Sequence, residues 1–390
     1  MESISGIVAR RATRLDVRRW TIFVCALVLG ASTFAQPASA PAIPIFAHQY
    51  EVTCAKCHSV IPHLNEFGAA FMANGYRIPG VKPGPAFPIS VKTNLVDSSE
   101  NQGDGPNGDG LPKAIVDEVE LFTSGAIGTR ASYLVEQYVV DGAMRGLLRD
   151  AWVTDRINPW AARIPVSVQA GSFTLPLPVD PETFRDSYQD YTPFVQTVGS
   201  NPFNFFDPKI GARLSVGDPL HGLNAQAFAG PGHDRQSGIA SSGTDTMFAA
   251  QESAGPLAAG AYHYQGTRPT TTGLLDGFQR TGYSLVYNQW GRLSSETVLQ
   301  TGWDSNCDTP GIVGCASSGG FTQLRYQFNK RLYVLGRYEG TNDPTNGFTR
   351  DGVLLFGYAP LRNSRITIED VISHTPQTSH TMNAQFTIAY

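Results

Sequence analysis

Polar and apolar residues alternate along residues 380–390, HTMNAQFTIAY, at the end of the chain. In an extended segment, successive side chains point to opposite faces. One face would carry the apolar residues Met382, Ala384, Phe386, Ile388 and Tyr390. The other would carry the polar residues Thr381, Asn383, Gln385 and Thr387. The pattern predicts a strand with an apolar environment on one side and a polar one on the other.

About sixteen segments of similar length, many of them with the same alternation, follow one another after residue 85. Each is close to the ~9–11 residues that a tilted strand needs to cross a bilayer. An even number of such strands, ending on an aromatic residue, is typical of closed outer-membrane barrels. The predicted strands cover roughly 86–97, 113–124, 129–140, 146–156, 165–175, 209–218, 222–230, 244–252, 257–266, 279–289, 292–303, 320–329, 331–341, 349–359, 364–374 and 380–390.

The lengths of the links favour a barrel over a row of β-sandwiches, which would not require any alternation. Bacterial barrels have short periplasmic turns and longer outward loops. The short links at 127–130, 218–222, 329–330 and 360–364 follow even-numbered segments, and the long links at 98–110, 176–208 and 304–319 follow odd-numbered ones. The short link 141–146 is an exception. The sequence therefore predicts an all-β fold over residues 85–390, a transmembrane antiparallel barrel of about sixteen strands with its C-terminus in the periplasm.

The N-terminus has the layout of a secretory signal peptide. Five arginines between residues 10 and 19 precede an apolar run from Trp20 to about Ala31, and small residues lead to Ala35 and Ala40. This order of basic, apolar and small residues predicts an exported protein with a signal peptide over 1–35, or cleavage after residue 40. A membrane-anchoring helix is the alternative, but the run is shorter than the ~20 residues that a helical span needs.

Composition narrows the possible functions and fold classes further. Only 16% of the residues are charged and the formal net charge is −4, which does not favour nucleic-acid binding. The chain has 40 glycines and 26 prolines, and helical periodicity is almost absent after residue 80, so a mainly helical fold is not expected.

Five cysteines can be assigned once export is assumed. Cys25 lies in the predicted signal peptide. Cys307 and Cys315 lie close together in NCDTPGIVGC, and an oxidising compartment favours a disulfide between them. Cys54 and Cys57 remain for another chemistry.

The stretch VTCAKCH places Cys54, Cys57 and His58 in the order C-x-x-C-H. Zinc binding, a thioredoxin-like redox pair and covalent haem attachment all use two cysteines at this spacing. No second cysteine pair is free to complete a zinc site, and no βαβ unit surrounds the motif. The motif therefore predicts one covalent c-type haem, with Cys54 and Cys57 as thioether anchors and His58 as the proximal iron ligand.

Residues 41–84 form the predicted haem segment, which is too short to build a core alone. Pro62 would lie in the first turn of a helix, and Gly75 would follow its last residue. Because a haem needs apolar cover, we expect the barrel interior to complete the pocket, with Gly68 allowing close approach to the porphyrin. The expected packing residues are Phe46, Leu64, Phe67, Gly68, Phe71 and Tyr76.

The second axial ligand of the iron is open to several interpretations. Met72 lies on the predicted helix, and His48 precedes the motif by six residues. An open position or a ligand supplied by the barrel are further alternatives. His63 is too near His58 in sequence to reach the opposite face of the same haem easily, so we expect a surface or lumen histidine.

The stretch IPIFAHQYEVTCAKCHSVIPHLNEFGAAFMANGYRIPG resembles the haem segment of the fused outer-membrane monohaem cytochrome–porins of iron-oxidising bacteria. The matching residues are Pro44, Phe46, Ala47, Cys54, Cys57, His58, Pro62, Leu64, Phe67, Gly68, Phe71, Gly75 and Tyr76. Beyond these residues only the architecture agrees. Ala69 and Ala70 stand where many relatives have basic residues. The resemblance implies a protein of the outer membrane that takes electrons from extracellular Fe(II) and passes them to periplasmic carriers such as a soluble cytochrome c.

Three functions follow as hypotheses. The first is an electron conduit that oxidises Fe(II) or another external redox partner. The second is a porin for small solutes, in which the haem segment is a plug or a redox gate, because sixteen strands can enclose a channel. The third is a conduit that delivers electrons to an external acceptor. The position of the haem segment relative to the lumen distinguishes solute transport from electron transfer.

Overall fold

The computed structural model describes residues 44–84, 89–99, 114–142, 144–159, 162–199, 201, 203–231, 243–270, 273–289, 292–307, 314–344, 347–361, 363–375 and 377–390. The predicted signal peptide and most of the first long link lie outside the described residues. No helix within these ranges has the length and apolar character that a transmembrane helix requires.

Sixteen antiparallel strands form a closed barrel, in which each strand pairs with its neighbours in sequence and β1 pairs with β16. The fold class predicted from the sequence is confirmed. The strands are β1 (Ser90–Ser98), β2 (Ile115–Ile127), β3 (Ala131–Asp141), β4 (Met144–Arg156), β5 (Val166–Phe173), β6 (Lys209–Gly217), β7 (Gly222–Gly230), β8 (Asp245–Ala254), β9 (Leu257–Pro269), β10 (Leu275–Gln289), β11 (Leu293–Asp304), β12 (Cys315–Gln327), β13 (Leu332–Asp343), β14 (Gly347–Tyr358), β15 (Ser364–Thr375) and β16 (Gln377–Ala389).

The alternation of residues follows the two faces of the wall. On β16, Thr381, Asn383, Gln385 and Thr387 are buried inside the barrel, whereas Met382 on the same strand is exposed. On β12, Gln323 and Arg325 are buried, and Leu324 between them faces outward. The barrel therefore has a polar interior and an apolar exterior, as a barrel in lipid requires.

The predicted alternation of link lengths is wrong for part of the barrel. Residues 344–346 and residue 376 connect β13 to β14 and β15 to β16, so these odd-numbered links are short as well. The strands there extend further than the sequence pattern indicated. We call the end of the barrel that carries the links after even-numbered strands the short-turn end, and the opposite one the long-link end.

The longest link does not lie outside the barrel as expected. Residues 174–208, which we call the lumen loop, fold inward between β5 and β6. Their aromatic residues Tyr191, Phe194, Phe203 and Phe205 are fully buried. A short helix, Thr192–Val195, lies against β12 and β13. The loop turns inward because these large apolar side chains find cover only within the barrel.

Inward-facing side chains of distant strands hold the lumen loop. Arg337 on β13 donates hydrogen bonds to Ser187 Oγ at 2.6 Å and to the carbonyl oxygen of Gln189 at 2.9 Å. Glu369 on β15 accepts the backbone N–H groups of Tyr188 and Gln189 at 2.9 and 3.0 Å. The loop is thus fixed across the lumen by charge-assisted hydrogen bonds.

Cys307, in the link after β11, and Cys315, the first residue of β12, form the predicted disulfide, with their Cα atoms 6.1 Å apart. Both cysteines are buried and pack against Val198 of the lumen loop. The disulfide therefore supports this loop from the long-link end.

Replacing Asp186 with asparagine should destabilise the barrel. The Asp186 carboxylate is fully buried and lies 2.8 Å from Arg325 Nε and 3.9 Å from Arg365 Nη1. Removing its charge leaves two buried cations without a counter-charge, which costs about 3–5 kcal/mol. Denaturant unfolding in detergent measures the change in the free energy of unfolding.

The matched control is Asp370→Asn, which removes the carboxylate of an exposed pair with His380 at 3.5 Å. An exposed pair contributes about 0–1 kcal/mol. Equal losses in the two variants would contradict the stabilising role of Asp186.

Candidate haem-binding site

The C-x-x-C-H motif folds as a single tight turn. A short 3-10 helix, Cys54–Lys56, follows the helix α1 (Pro44–Tyr50). The carbonyl oxygen of Cys54 accepts the backbone N–H groups of Cys57 and His58 at 3.0 and 2.9 Å. Cys54 is buried and Cys57 is partly buried. The turn therefore brings both thiols and the imidazole close together in one compact unit.

The His58 ring is held in one tautomer. Its Nδ1 lies 2.9 Å from the carbonyl oxygen of Pro62, which is only an acceptor, so Nδ1 carries the proton. Burial lowers the pKa of His58 to about 4, against the smaller raising effect of this hydrogen bond. At neutral pH the ring is therefore uncharged, with its lone pair on Nε2. This is the state in which histidine ligates a metal.

A second helix, α2 (Glu66–Ala73), covers the turn. The helix begins later than predicted. The Asn65 side chain accepts the N–H of Gly68 at 2.9 Å and caps the helix at this point. Pro62 therefore lies before the helix and not in its first turn. Gly75 follows the helix with φ +64°, the left-handed backbone expected after its last residue.

Gly68 lines the cavity and also packs closely on the motif. A Cβ built on Gly68 would clash with the carbonyl oxygen of Cys57. Asn65 adds to this contact, because its backbone N–H donates to the same carbonyl at 2.8 Å. Gly68 therefore allows α2 to contact the motif, and its close approach to a porphyrin stays a prediction.

Aromatic rings from the haem segment and the barrel wall form a continuous cluster beside the motif. Phe46 stacks on Tyr76 with ring centroids 4.6 Å apart, and Tyr76 stacks on Trp152 of β4 at 5.9 Å. Phe71 contacts Phe46 edge-on at 5.3 Å and stacks with Phe67 at 6.3 Å. Predicted packing residues thus do come together, and Trp152, which the sequence analysis missed, extends them to the wall.

A cavity of about 1110 Å³ lies next to this cluster. Cys54, Cys57 and His58 line it, as do Leu64 and Met72 of the haem segment. His48 does not contribute to the lining, and its side chain is exposed. Of the two named alternatives for the second axial ligand, only Met72 shares a cavity with His58.

The haem segment lies inside the barrel at the short-turn end. On one side, Arg77 donates to the carbonyl oxygen of Ala131 at the start of β3, at 2.6 Å. On another side, Val60 packs with Tyr333, Leu335 and Leu355 of β13 and β14. The segment therefore reaches well-separated parts of the wall and fills this part of the lumen.

His63 joins the haem segment to the lumen loop, a role that its sequence position did not indicate. Its ring is buried, lies edge-on to Phe184 with centroids 5.8 Å apart, and has its Nδ1 atom 3.8 Å from Asp186. Burial, Arg325 and His58, in that order, lower the pKa of His63.

The chemistry of these residues fits a c-type haem. Burial raises the pKa of the Cys57 thiol to about 11, against the smaller lowering effect of Lys56. No group of three or more His, Cys, Asp or Glu side chains among the described residues is arranged to hold a metal ion. Two adjacent thiols, a neutral imidazole with free Nε2 and an aromatic-lined cavity match what a covalent haem requires.

Solved bacterial porins have the same fold as this chain. The structures titled "Anion-selective porin from Comamonas acidovorans" and "Salmonella typhi OmpF complex with Daunomycin" are 11% and 12% identical to it, with TM-scores of 0.56 and 0.55. The first match covers 78% of this chain and 99% of the Comamonas porin. The second covers 77% of this chain and 97% of OmpF. A loop-deletion mutant of the Vibrio cholerae outer membrane protein OmpT has a TM-score of 0.53 at 10% identity, covering 77% of this chain and 97% of that one. No protein-family model and no curated protein matches the sequence.

Replacing Gly68 with alanine should weaken haem attachment. The added methyl group has to displace the Cys57 carbonyl, which opens the contact between α2 and the motif and costs roughly 1–3 kcal/mol. We expect less covalent haem per polypeptide, measured by absorbance after expression with a haem-maturation system. Glu66→Gln, at the exposed start of the same helix and outside the cavity lining, is the control and should keep full occupancy. Wild-type haem content in the Gly68 variant would show that this contact is dispensable.

Proposed function

We propose that this protein is an outer-membrane barrel that transfers electrons through one covalent c-type haem. The observation that carries the proposal is the arrangement of His58, whose Nδ1 is fixed by Pro62 and whose Nε2 is free within a cavity of the barrel interior. A channel for solutes has no need of such a histidine next to two thiols.

The fold supports the location. A closed sixteen-stranded barrel with a polar interior and an apolar exterior is stable in lipid, because it leaves no backbone hydrogen bond open at an edge. The basic and apolar N-terminus fits export through a signal peptide. We therefore place residues 85–390 in the outer membrane, with the short-turn end and the haem segment, residues 41–84, on the periplasmic side.

Each residue of the segment then has a role. Cys54 and Cys57 would hold the haem covalently, and His58 Nε2 would bind its iron. Met72 is the proposed second ligand, since it lines the cavity and His48 does not. A haem bound in this way supplies one-electron oxidation and reduction, and a methionine–histidine pair raises its reduction potential. Phe46, Phe71, Tyr76 and Trp152 exclude water from one side of the cavity.

The donor we propose is Fe(II) outside the cell, and the acceptor is a periplasmic carrier such as a soluble cytochrome c. The cavity gives such a donor a path, because its lining extends from Gly142 at the long-link end to Pro219 at the short-turn end. A small external reductant can therefore approach the motif within the barrel. Delivery of electrons to an external acceptor would use the same path in reverse.

Solute passage is the second candidate function, and the same cavity favours it. The barrel fold is shared with porins, one of them described as anion-selective. The haem segment and the lumen loop, however, lie inside the barrel of this chain and leave a cavity of about 1110 Å³. A porin function would require that the remaining cavity conducts solutes past both.

Replacing His58 with alanine should abolish reduction of the haem by external Fe(II) while leaving the haem attached. The thioether anchors remain, but the iron loses its proximal ligand. The measurement is the reduced haem absorption band after Fe(II) is added outside liposomes that contain air-oxidised protein. Wild-type haem that is attached and stays oxidised would identify iron as the wrong donor. His48→Ala is the matched control and should reduce at the wild-type rate.

In planar bilayers, the wild-type barrel should conduct far less than an open porin of the same strand number. The expected conductance is about tenfold lower, because a water-filled lumen is what lets sixteen-stranded barrels conduct. A porin-sized conductance would move solute transport ahead of electron transfer.

A further inference from the structure

The wall of the cavity at the long-link end is strongly acidic. Asp117 and Glu118 on β2 and Asp141 on β3 line it there, followed by Glu120, Glu136 and Asp150 deeper in the barrel. The cationic side chains that line the cavity near these carboxylates include Lys92, Arg149, Arg185 and Arg213. Lys92 lies 2.6 Å from Glu120 and 3.7 Å from Glu118, so its charge is already shared between two carboxylates.

The three outermost carboxylates are close to one another. Glu118 and Asp141 are partners in the register of β2 and β3, and the carbonyl oxygen of Asp117 accepts the N–H of Gly142 at 2.7 Å. The Tyr188 hydroxyl of the lumen loop lies 3.4 Å from Asp117. Arg185 of the loop also lines this part of the cavity but lies against Asp190. Negative charge is therefore left over where the cavity begins.

Two buried oxygen atoms along the same cavity lack partners. Asp150 Oδ1 and Asn94 Oδ1 have no hydrogen-bond partner among the described residues, although both side chains are more than nine-tenths buried. Both residues line the cavity. A buried carboxylate or amide oxygen without a partner loses free energy unless a ligand or water supplies one. These two oxygens accept hydrogen bonds, and water bound to a cation is a strong donor.

We propose that this cavity is an entry passage for hydrated divalent cations, which carries them from the long-link end toward the haem. The proposal rests on the electron-transfer function above and specifies its substrate class as small cationic reductants. Carboxylate and amide oxygens suit hard cations such as Fe(II). The absence of a chelating group among the described residues agrees with a passage, because a tightly held ion would not move on. The acidic walls raise the local cation concentration and steer its approach.

The test compares two reductants that cannot cross a lipid bilayer and that differ in charge. Hexaammineruthenium(II) is a dication, and the Fe(II) complex of EDTA is a dianion. Each is mixed with liposomes that hold the oxidised full-length protein, and the haem absorbance is followed in a stopped-flow instrument. The variant carries Asp117→Asn, Glu118→Gln and Asp141→Asn together.

At low ionic strength, the triple variant should be reduced about tenfold more slowly by the dication, because steering changes rates by about 10–1000-fold. Its reduction by the dianion should be unchanged or faster. The difference should shrink at high salt, which screens the charges. If the ratio of the two rates in the triple variant equals the ratio in wild type, the proposal of an entry passage is wrong.

The matched control changes three carboxylates that do not line the cavity, through Asp155→Asn, Glu252→Gln and Asp370→Asn. It removes the same charge from the protein and should leave the ratio as in wild type. A ratio lowered equally in the control would also overturn the proposal, since net charge would then explain the effect.

Mn(II) tests the passage without any electron transfer. Its bound fraction, read by electron paramagnetic resonance, should fall in the acidic triple variant and not in the control. Equal binding in all three proteins would contradict the passage. A haem that neither reductant reduces, together with normal Mn(II) binding, would contradict only the electron-transfer function.

Discussion

Closure of the sheet is the constraint on which the other features depend. In lipid an unpaired strand edge is too costly, so β1 has to meet β16, which it does over residues 92–98. A sheet of sixteen strands that closes in this way encloses a wide interior. That interior has to be filled with water or with protein. In this chain, the lumen loop and the haem segment supply much of the filling, and their charges explain why the inner faces of the strands are so polar.

The strands could be predicted because each has lipid on one side and polar groups on the other. Leu324 between Gln323 and Arg325 carries that information locally. The inward path of the lumen loop could not be predicted in the same way. Phe203 and Phe205 stand among Asn and Pro, outside any alternation, and their cover comes from strands distant in sequence. Likewise, a glycine at position 68 indicates that another group approaches the backbone closely. The sequence pattern does not identify that group as the Cys57 carbonyl, because the contact depends on how the motif turns.

Three parts of the molecule meet at Asp186. Arg325 and Arg365 of the wall approach its carboxylate, and His63 of the haem segment lies on its other side. The lumen loop is thus a strut between the wall and the haem segment. A site held in this way changes little in geometry when a charge appears or disappears within it, because the surrounding dipoles are already fixed. Such rigidity suits the electron transfer proposed for this site.

The burial of Cys54 has a consequence for the order in which this protein is assembled. Only 3% of Cys54 is accessible, and it lies within a lumen closed around it by strands that come later in the chain. An enzyme that modifies this cysteine cannot enter the finished barrel. Any covalent group on Cys54 has to be attached while the chain is still in transit, before β1 and β16 join. Folding of the wall is therefore the step after which Cys54 can no longer be modified by an enzyme.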